Sequence, residues 1–179
     1  EQVKNGSETY TSYSEENIIA NDDGGFTIIW EVASQSEDNQ NRATIMGQRF
    51  DDTGKPQSEA FEVADTYTNF AFNRPVIETL KNGQMVVVWS EEIEGSSAES
   101  DWWYNGRYEL KAQIIDENGQ KVGECLRIDG MDIPSYRHHT PRMNVLNDGK
   151  IAISFGHRGG IELKQVQEHV VLLNNDGSP

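Results

Sequence analysis

Asp23-Gly24-Gly25-Phe26-Thr27-Ile28-Ile29-Trp30 occurs three times in this chain, and that recurrence decides how the rest is read. It returns as Asn82-Gly83-Gln84-Met85-Val86-Val87-Val88-Trp89, and again as Asp148-Gly149-Lys150-Ile151-Ala152-Ile153-Ser154-Phe155. The copies start 59 and then 66 residues apart. A period of that length marks an array of one supersecondary unit. The Asp-Gly or Asn-Gly pair supplies the positive φ that a tight hairpin needs. The apolar, β-branched run after it predicts a strand buried on both faces.

Working outward, each unit holds a second hairpin. Ile45 to Phe50 leads into Asp51-Asp52-Thr53-Gly54-Lys55-Pro56 and returns as Ala60-Phe61-Glu62-Val63. Leu110 to Ile115 leads into Asp116-Glu117-Asn118-Gly119 and returns as Cys125-Leu126-Arg127-Ile128. Both alternate with a period near two, as outer strands do. No segment has a helical period, and Gln165 to His169 reads as a loop or strand start.

The fold expectation is therefore all-β: a β-propeller-like array of three four-stranded antiparallel units. The units run over about 10–65, 66–130 and 131–179, with 1–9 completing the last. Glu1-Gln2-Val3 and Thr9-Tyr10-Thr11 mirror Phe61-Glu62-Val63 and Thr66-Tyr67-Thr68, which supplies that closing strand. Three blades are fewer than the usual minimum of about four. The array is read as a three-bladed ring, as half of a six-bladed dimer, or as a slice of a longer array.

The pattern D-G-G-F-x-x-x-W, then Q-R-F-D-x-x-G, then E-x-V and T-Y-T resembles the tandem repeats of giant secreted and surface bacterial proteins of the RTX or haemolysin-like adhesin type. It is carried by Asp23, Gly24, Gly25, Phe26, Trp30, Gln48, Arg49, Phe50, Asp51, Gly54, Glu62 and Val63. The second unit keeps Gly83, Trp89, Gln113, Asp116 and Gly119, whereas the third has Phe155 for Trp and Val171 for Gln. The resemblance implies an extracellular or cell-surface adhesive module, and no catalytic residue carries over.

Composition narrows the function classes. The net charge is −15, from 30 acidic and 15 basic residues. Such a surface repels nucleic acid and anionic membranes. No apolar run approaches the roughly 20 residues of a membrane span. The single cysteine, Cys125, forms no intrachain disulfide and reads as a small buried residue rather than a nucleophile. The chain begins at Glu1 in mid-pattern, which reads as a processed or excised segment.

Propeller geometry puts hairpin turns on one face and the remaining connections on the other. The second face collects the unusual residues. Its longest connection, Ser90 to Tyr108, ends in Asp101-Trp102-Trp103-Tyr104-Asn105-Gly106-Arg107-Tyr108. Trp102, Trp103, Tyr104 and Arg107 form a stacking platform for a sugar ring, or a hot spot for a protein. The alternative is that these aromatics fold over their own unit. Tyr136, His138, His139 and Arg158 fall in neighbouring connections and complete the expected ligand-binding set.

All four histidines lie in the last third of the chain, but their spacing matches no zinc motif. Asn21-Asp22-Asp23-Gly24 and Asp51-Asp52-Thr53-Gly54 lack the full register of a calcium loop, so the expectation is no cofactor beyond weak Ca²⁺ binding. There is no G-x-S-x-G, H-E-x-x-H or P-loop. Carboxylates expected on the functional face are Glu15, Glu16, Glu78, Asp101 and Glu109. The main expectation is a non-enzymatic binding or adhesion module for a carbohydrate or protein ligand, with homodimerisation open. The alternatives are a structural spacer and a glycoside hydrolase-like propeller enzyme with two facing carboxylates.

Overall fold

The computed structural model describes residues 17–35, 41–67, 73–93, 107–128, 133–134, 141–158 and 166–176. The first unit contains β1 (Asn17–Ala20), β2 (Phe26–Gln35), β3 (Asn41–Phe50) and β4 (Phe61–Tyr67). The second contains β5 (Val76–Thr79), β6 (Met85–Glu92), β7 (Arg107–Ile115) and β8 (Lys121–Arg127), followed by the short β9 (Ile133–Pro134). The third contains β10 (Arg142–Val145), β11 (Ile151–Arg158) and β12 (Val166–Leu173). Each unit is its own antiparallel sheet, ordered β1-β2-β3-β4, β5-β6-β7-β8 and β10-β11-β12. This is the up-and-down order that the repeat predicts.

One strand was not legible from the repeat. β9 pairs with the start of β7, through Arg107 with Pro134 and Tyr108 with Ile133. The ladder between β7 and β8 ends at Lys111 opposite Arg127. The first residues of β7 would otherwise be an open edge, which β9 covers.

The hairpin turns follow their chemistry. Gly24, Gly83 and Gly149 occupy the same position in the three units, with φ of 90°, 83° and 89°. The acidic or amide side chain beside each turn braces it. Asp51 Oδ1 accepts from Thr53 N at 2.9 Å, Thr53 Oγ1 at 2.7 Å and Lys55 N at 2.8 Å. Asp116 Oδ1 accepts from Asn118 N and Gln120 N at 2.9 and 2.8 Å. These oxygens serve the turn.

The same bonds hold the Asp51 carboxyl below its ordinary range, the Thr53 hydroxyl first and the Lys55 amide next. A lowered folded value means stability that is present above the unfolded value near 3.8 and lost as pH falls through the folded one. Melting the native chain at pH 7 and at pH 3 should show this loss. Asp51→Asn should show a smaller difference between the two pH values; an unchanged difference would remove Asp51 from the acid sensitivity.

Gly119 carries a second constraint. Its φ is 79°, and a Cβ there would lie 2.3 Å from Phe61 Cδ1. On its other side Phe61 lies against Gly47, where a Cβ would come within 2.5 Å of the ring. The Phe61 ring thus locks the first sheet to the turn of the second. Gly119→Ala should cost about 2 kcal/mol in chemical denaturation; an unchanged midpoint would contradict that contact.

The sheets stack in a fixed sense. Let the leading face carry Phe26, Ile28 and Trp30 in the first unit, and Met85, Val87 and Trp89 in the second. In the third it carries Ile151, Ile153 and Phe155. The trailing face carries the residues between them. Ile29, Ile45 and Val63 from the first trailing face pack with Met85, Val87 and Trp89. Val86, Val88, Leu110 and Ala112 from the second trailing face pack with Ile151, Ile153 and Phe155. Each trailing face thus meets the leading face of the next unit.

This corrects the expectation that every repeat strand is covered on both sides. Only β6 is, with residues 85–90 all buried. In β2, Thr27, Ile29 and Glu31 are buried while Phe26, Ile28 and Trp30 are partly exposed. In β11 the phase is opposite, with Ile151, Ile153 and Phe155 buried. The end units have a neighbouring sheet on one face alone among the described residues. Cys125 is a second correction. It is exposed, because β8 is an outer strand whose residues 121–125 all face solvent.

Candidate functional site: the polar end of the stacked sheets

The apolar layers stop short of the strand ends remote from the hairpin turns, and carboxylates replace them there. Glu31 on β2 is 5% exposed and Glu92 on β6 is 3% exposed. A buried carboxylate is costly unless it is bonded.

Glu31 is a joint between units. It accepts from Asn73 N at 3.1 Å and from Asn73 Nδ2 at 3.0 Å. Asn73 Nδ2 also donates to Thr66 Oγ1 at 2.5 Å, and Thr66 Oγ1 donates to Ala43 O at 2.7 Å. Asn73 O then accepts from Ser90 N at 3.1 Å. The network ties β2, β3 and β4 to β6.

Glu91 and Glu109 form a chain of charges on the leading face of the second unit. Lys111 Nζ stands 3.0 Å from Glu91 and 2.9 Å from Glu109, and Arg127 stands 3.3 Å from Glu109. Glu91 also accepts from Trp89 Nε1 at 3.2 Å and Tyr67 N at 3.3 Å. Burial alone would push the Lys111 ammonium down, but the hydrogen bonds to Glu109 and Glu91 outweigh it and hold it above its ordinary value.

Glu92 points to the opposite side of the sheet, where it lies across from Tyr108 in the β6–β7 pair. Burial, and then the Glu92 charge, push the Tyr108 hydroxyl far above its ordinary value. Tyr108 is a neutral phenol across the biological pH range. Nearby, Phe155 and His169 stack at 5.3 Å with 17° between the rings. The polar end therefore offers a carboxyl beside a phenol, and a carboxylate between two cations.

Of the ligand-binding residues expected from sequence, Trp102, Trp103, Tyr104, Tyr136, His138 and His139 lie outside the described residues. The backbone places Arg107 at the start of β7 and Arg158 at the end of β11, both at the polar end. Glu15, Glu16 and Asp101 also lie outside the described residues. Glu109 stands at the polar end as expected. Glu78 does not: it pairs with Val86 near the hairpin turn, where burial pushes its carboxyl up. Sequence reasoning missed Glu31, Glu91 and Glu92. Their one signal was a glutamate following or closely following each motif Trp.

The turn face is less bland than expected. A cavity of about 210 Å³ is lined by Asn21, Asp22, Asp23, Arg49, Thr79 and Glu117, with Met85 and Gly83. Arg49 spans it, bonding Asp23 Oδ2 and the Glu117 carbonyl, both at 2.7 Å. Both guanidinium ends are thus spent holding two turns together. Among the described residues, no group of three His, Cys, Asp or Glu side chains is placed to hold a metal ion.

No protein-family model and no curated protein matches the chain. Among solved structures, it is similar to an endo-arabinase from Bacteroides thetaiotaomicron. That likeness has 9% identity and a TM-score of 0.47, over 92% of this chain and 76% of that one. It is also similar to a GH43 endo-arabinanase from Bacillus licheniformis. There the identity is 15% and the TM-score 0.40, over 92% of this chain and 75% of that one. Both neighbours are enzymes by name, so the expectations of a non-enzymatic adhesion module and of no enzyme activity are withdrawn. The glycoside hydrolase-like alternative is carried forward instead. Likeness at these scores assigns no residue and no substrate to this chain.

Proposed function

We propose that this domain acts on carbohydrate, hydrolysing glycosidic bonds at the polar end of its sheets. One observation carries the reading: Glu92 is buried at that end beside a phenol that stays neutral, while Glu109 stands on the opposite side of the same sheet. Glu109 lies between Lys111 and Arg127, while Glu92 is buried across from Tyr108. A buried carboxyl in such surroundings suits the proton donor of glycoside cleavage. In this reading Glu92 donates a proton to the departing glycosidic oxygen. Water attacks the sugar carbon and releases its own proton to solvent, which completes the cleavage.

Trp102, Trp103, Tyr104 and Arg107 supply the stacking surface, and Tyr136, His138, His139 and Arg158 the rim. A secreted or surface location belongs to the same proposal, since polymeric sugars are met outside the cell. The test is reducing-end release from a panel of polysaccharides, arabinan included. Release from at least one polymer is expected; no release from any, at high protein concentration, would overturn the proposal.

A further inference from the structure

We infer that the two end faces of the stack dock on a second copy of this chain, head to tail, closing a two-chain ring of six units. The sense of stacking points to this contact. Twice within the chain a trailing face is covered by the next leading face. Among the described residues, the leading face of the first unit and the trailing face of the third are left over. They are the two halves of the interface the chain already makes twice.

Their composition fits that role. Ile18 pairs with Ile28 and so shares the first leading face with Phe26, Ile28 and Trp30. Phe26 stacks on Phe50 there, with centroids 5.1 Å apart. On the third trailing face, Val170 pairs with Ser154 and Leu172 with Ala152. Small residues on the central strand and large aliphatic ones beside it face outward there. Ile18, Val170 and Leu172 are 61%, 69% and 52% exposed, the three highest values among the exposed large apolar side chains. Leu146, in the position of Leu80, adds to the same trailing face at 37%, the value also reached by Val122, which lies on neither end face.

Exposed apolar side chains concentrated on two opposed faces mark an interaction surface. Because the two faces differ, the contact is heterologous, and such contacts make rings or filaments according to the rotation between copies. Three units and three units close the ring. The two chains also repel each other, each carrying a net charge of −15, so added salt strengthens the association.

The test is mass by light scattering across a concentration and salt series, on the native chain and on two variants. The native 20.2 kDa chain should approach twice that mass, and more readily at higher salt. Ile18→Glu and Val170→Glu change exposed residues at opposite ends and should leave melting of the single chain unchanged. Each alone should weaken association about 100-fold. Mixed together they should regain a two-chain species, because one intact interface survives between them. A single-chain mass under every condition would overturn the inference. So would an Ile18→Glu chain that still dimerises, since that marks a contact between like faces. A ladder of ever larger species would overturn the closed ring.

Discussion

Glu92→Gln is expected to fold normally and to lose about 100-fold or more of the hydrolytic rate. The amide matches the carboxyl in shape, so the packing between the second and third sheets is preserved. It removes only the proton that the carboxyl gives to the leaving oxygen. Binding should change little, so the loss should fall on kcat rather than KM. Tyr108 offers an independent readout. Burial is the larger cause of its raised hydroxyl and Glu92 the smaller. In the variant the phenol should therefore titrate somewhat lower, while staying above the ordinary tyrosine value. A variant with full activity would remove Glu92 from the chemistry, and an unmoved Tyr108 titration would show that the two groups do not interact.

Trp89→Ala should cost about 3–5 kcal/mol, whereas Trp30→Ala should cost about 1 kcal/mol in the single chain. The two tryptophans hold the same place in the repeat, and sequence gives no reason to separate them. The structure does. Trp89 is 1% exposed and lies between sheets among Ile29, Ile45, Val63 and Val87. Its removal leaves a cavity and also takes away one of the donors to a Glu91 oxygen, which keeps Lys111. Trp30 stands on a face without a neighbouring sheet among the described residues, and is partly exposed. Phe155, which is 2% exposed in the same position of the third unit, should follow Trp89. Equal losses at Trp30 and Trp89 in denaturant titrations would mean that both stand between sheets.

This pair shows how far the sequence could be read. The turns were legible because Asp-Gly and Asn-Gly leave the backbone few choices, and Gly24, Gly83 and Gly149 adopt the same positive φ. Strand order followed from those turns. Burial did not, because an apolar run such as Phe26 to Trp30 looks the same with one neighbour or two. Gln48 and Gln113 were legible only as repeat marks. In the structure, Gln48 Nε2 bonds the Ser58 carbonyl at 2.9 Å and Gln113 Nε2 bonds that of Ile114 at 2.9 Å. Gln113 Nε2 also reaches the Val122 carbonyl at 3.4 Å, so both buried amides fasten the outer hairpin, and Val171 in the third unit forms no such bond.

The site was less legible than the fold. Aromatic clusters such as Trp102-Trp103-Tyr104 stand out in one dimension. Carboxylates that gather from separate strands do not. Glu31, Glu92 and Glu109 are scattered over the sequence and lie at one end only because the sheets stack in register. Cys125 misled for a similar reason: its neighbour Leu126 suggested a buried strand position, but β8 is an outer strand.

Directional stacking underlies the polar end and the open faces alike, so it is the claim to test first. The most direct measurement is amide hydrogen exchange on the three equivalent strands β2, β6 and β11, at a concentration where light scattering finds single chains. The strand covered on both sides, β6, should exchange slowest, with β2 and β11 faster. Equal protection in all three strands of the single chain would mean that each sheet has two neighbours, and would contradict the open stack.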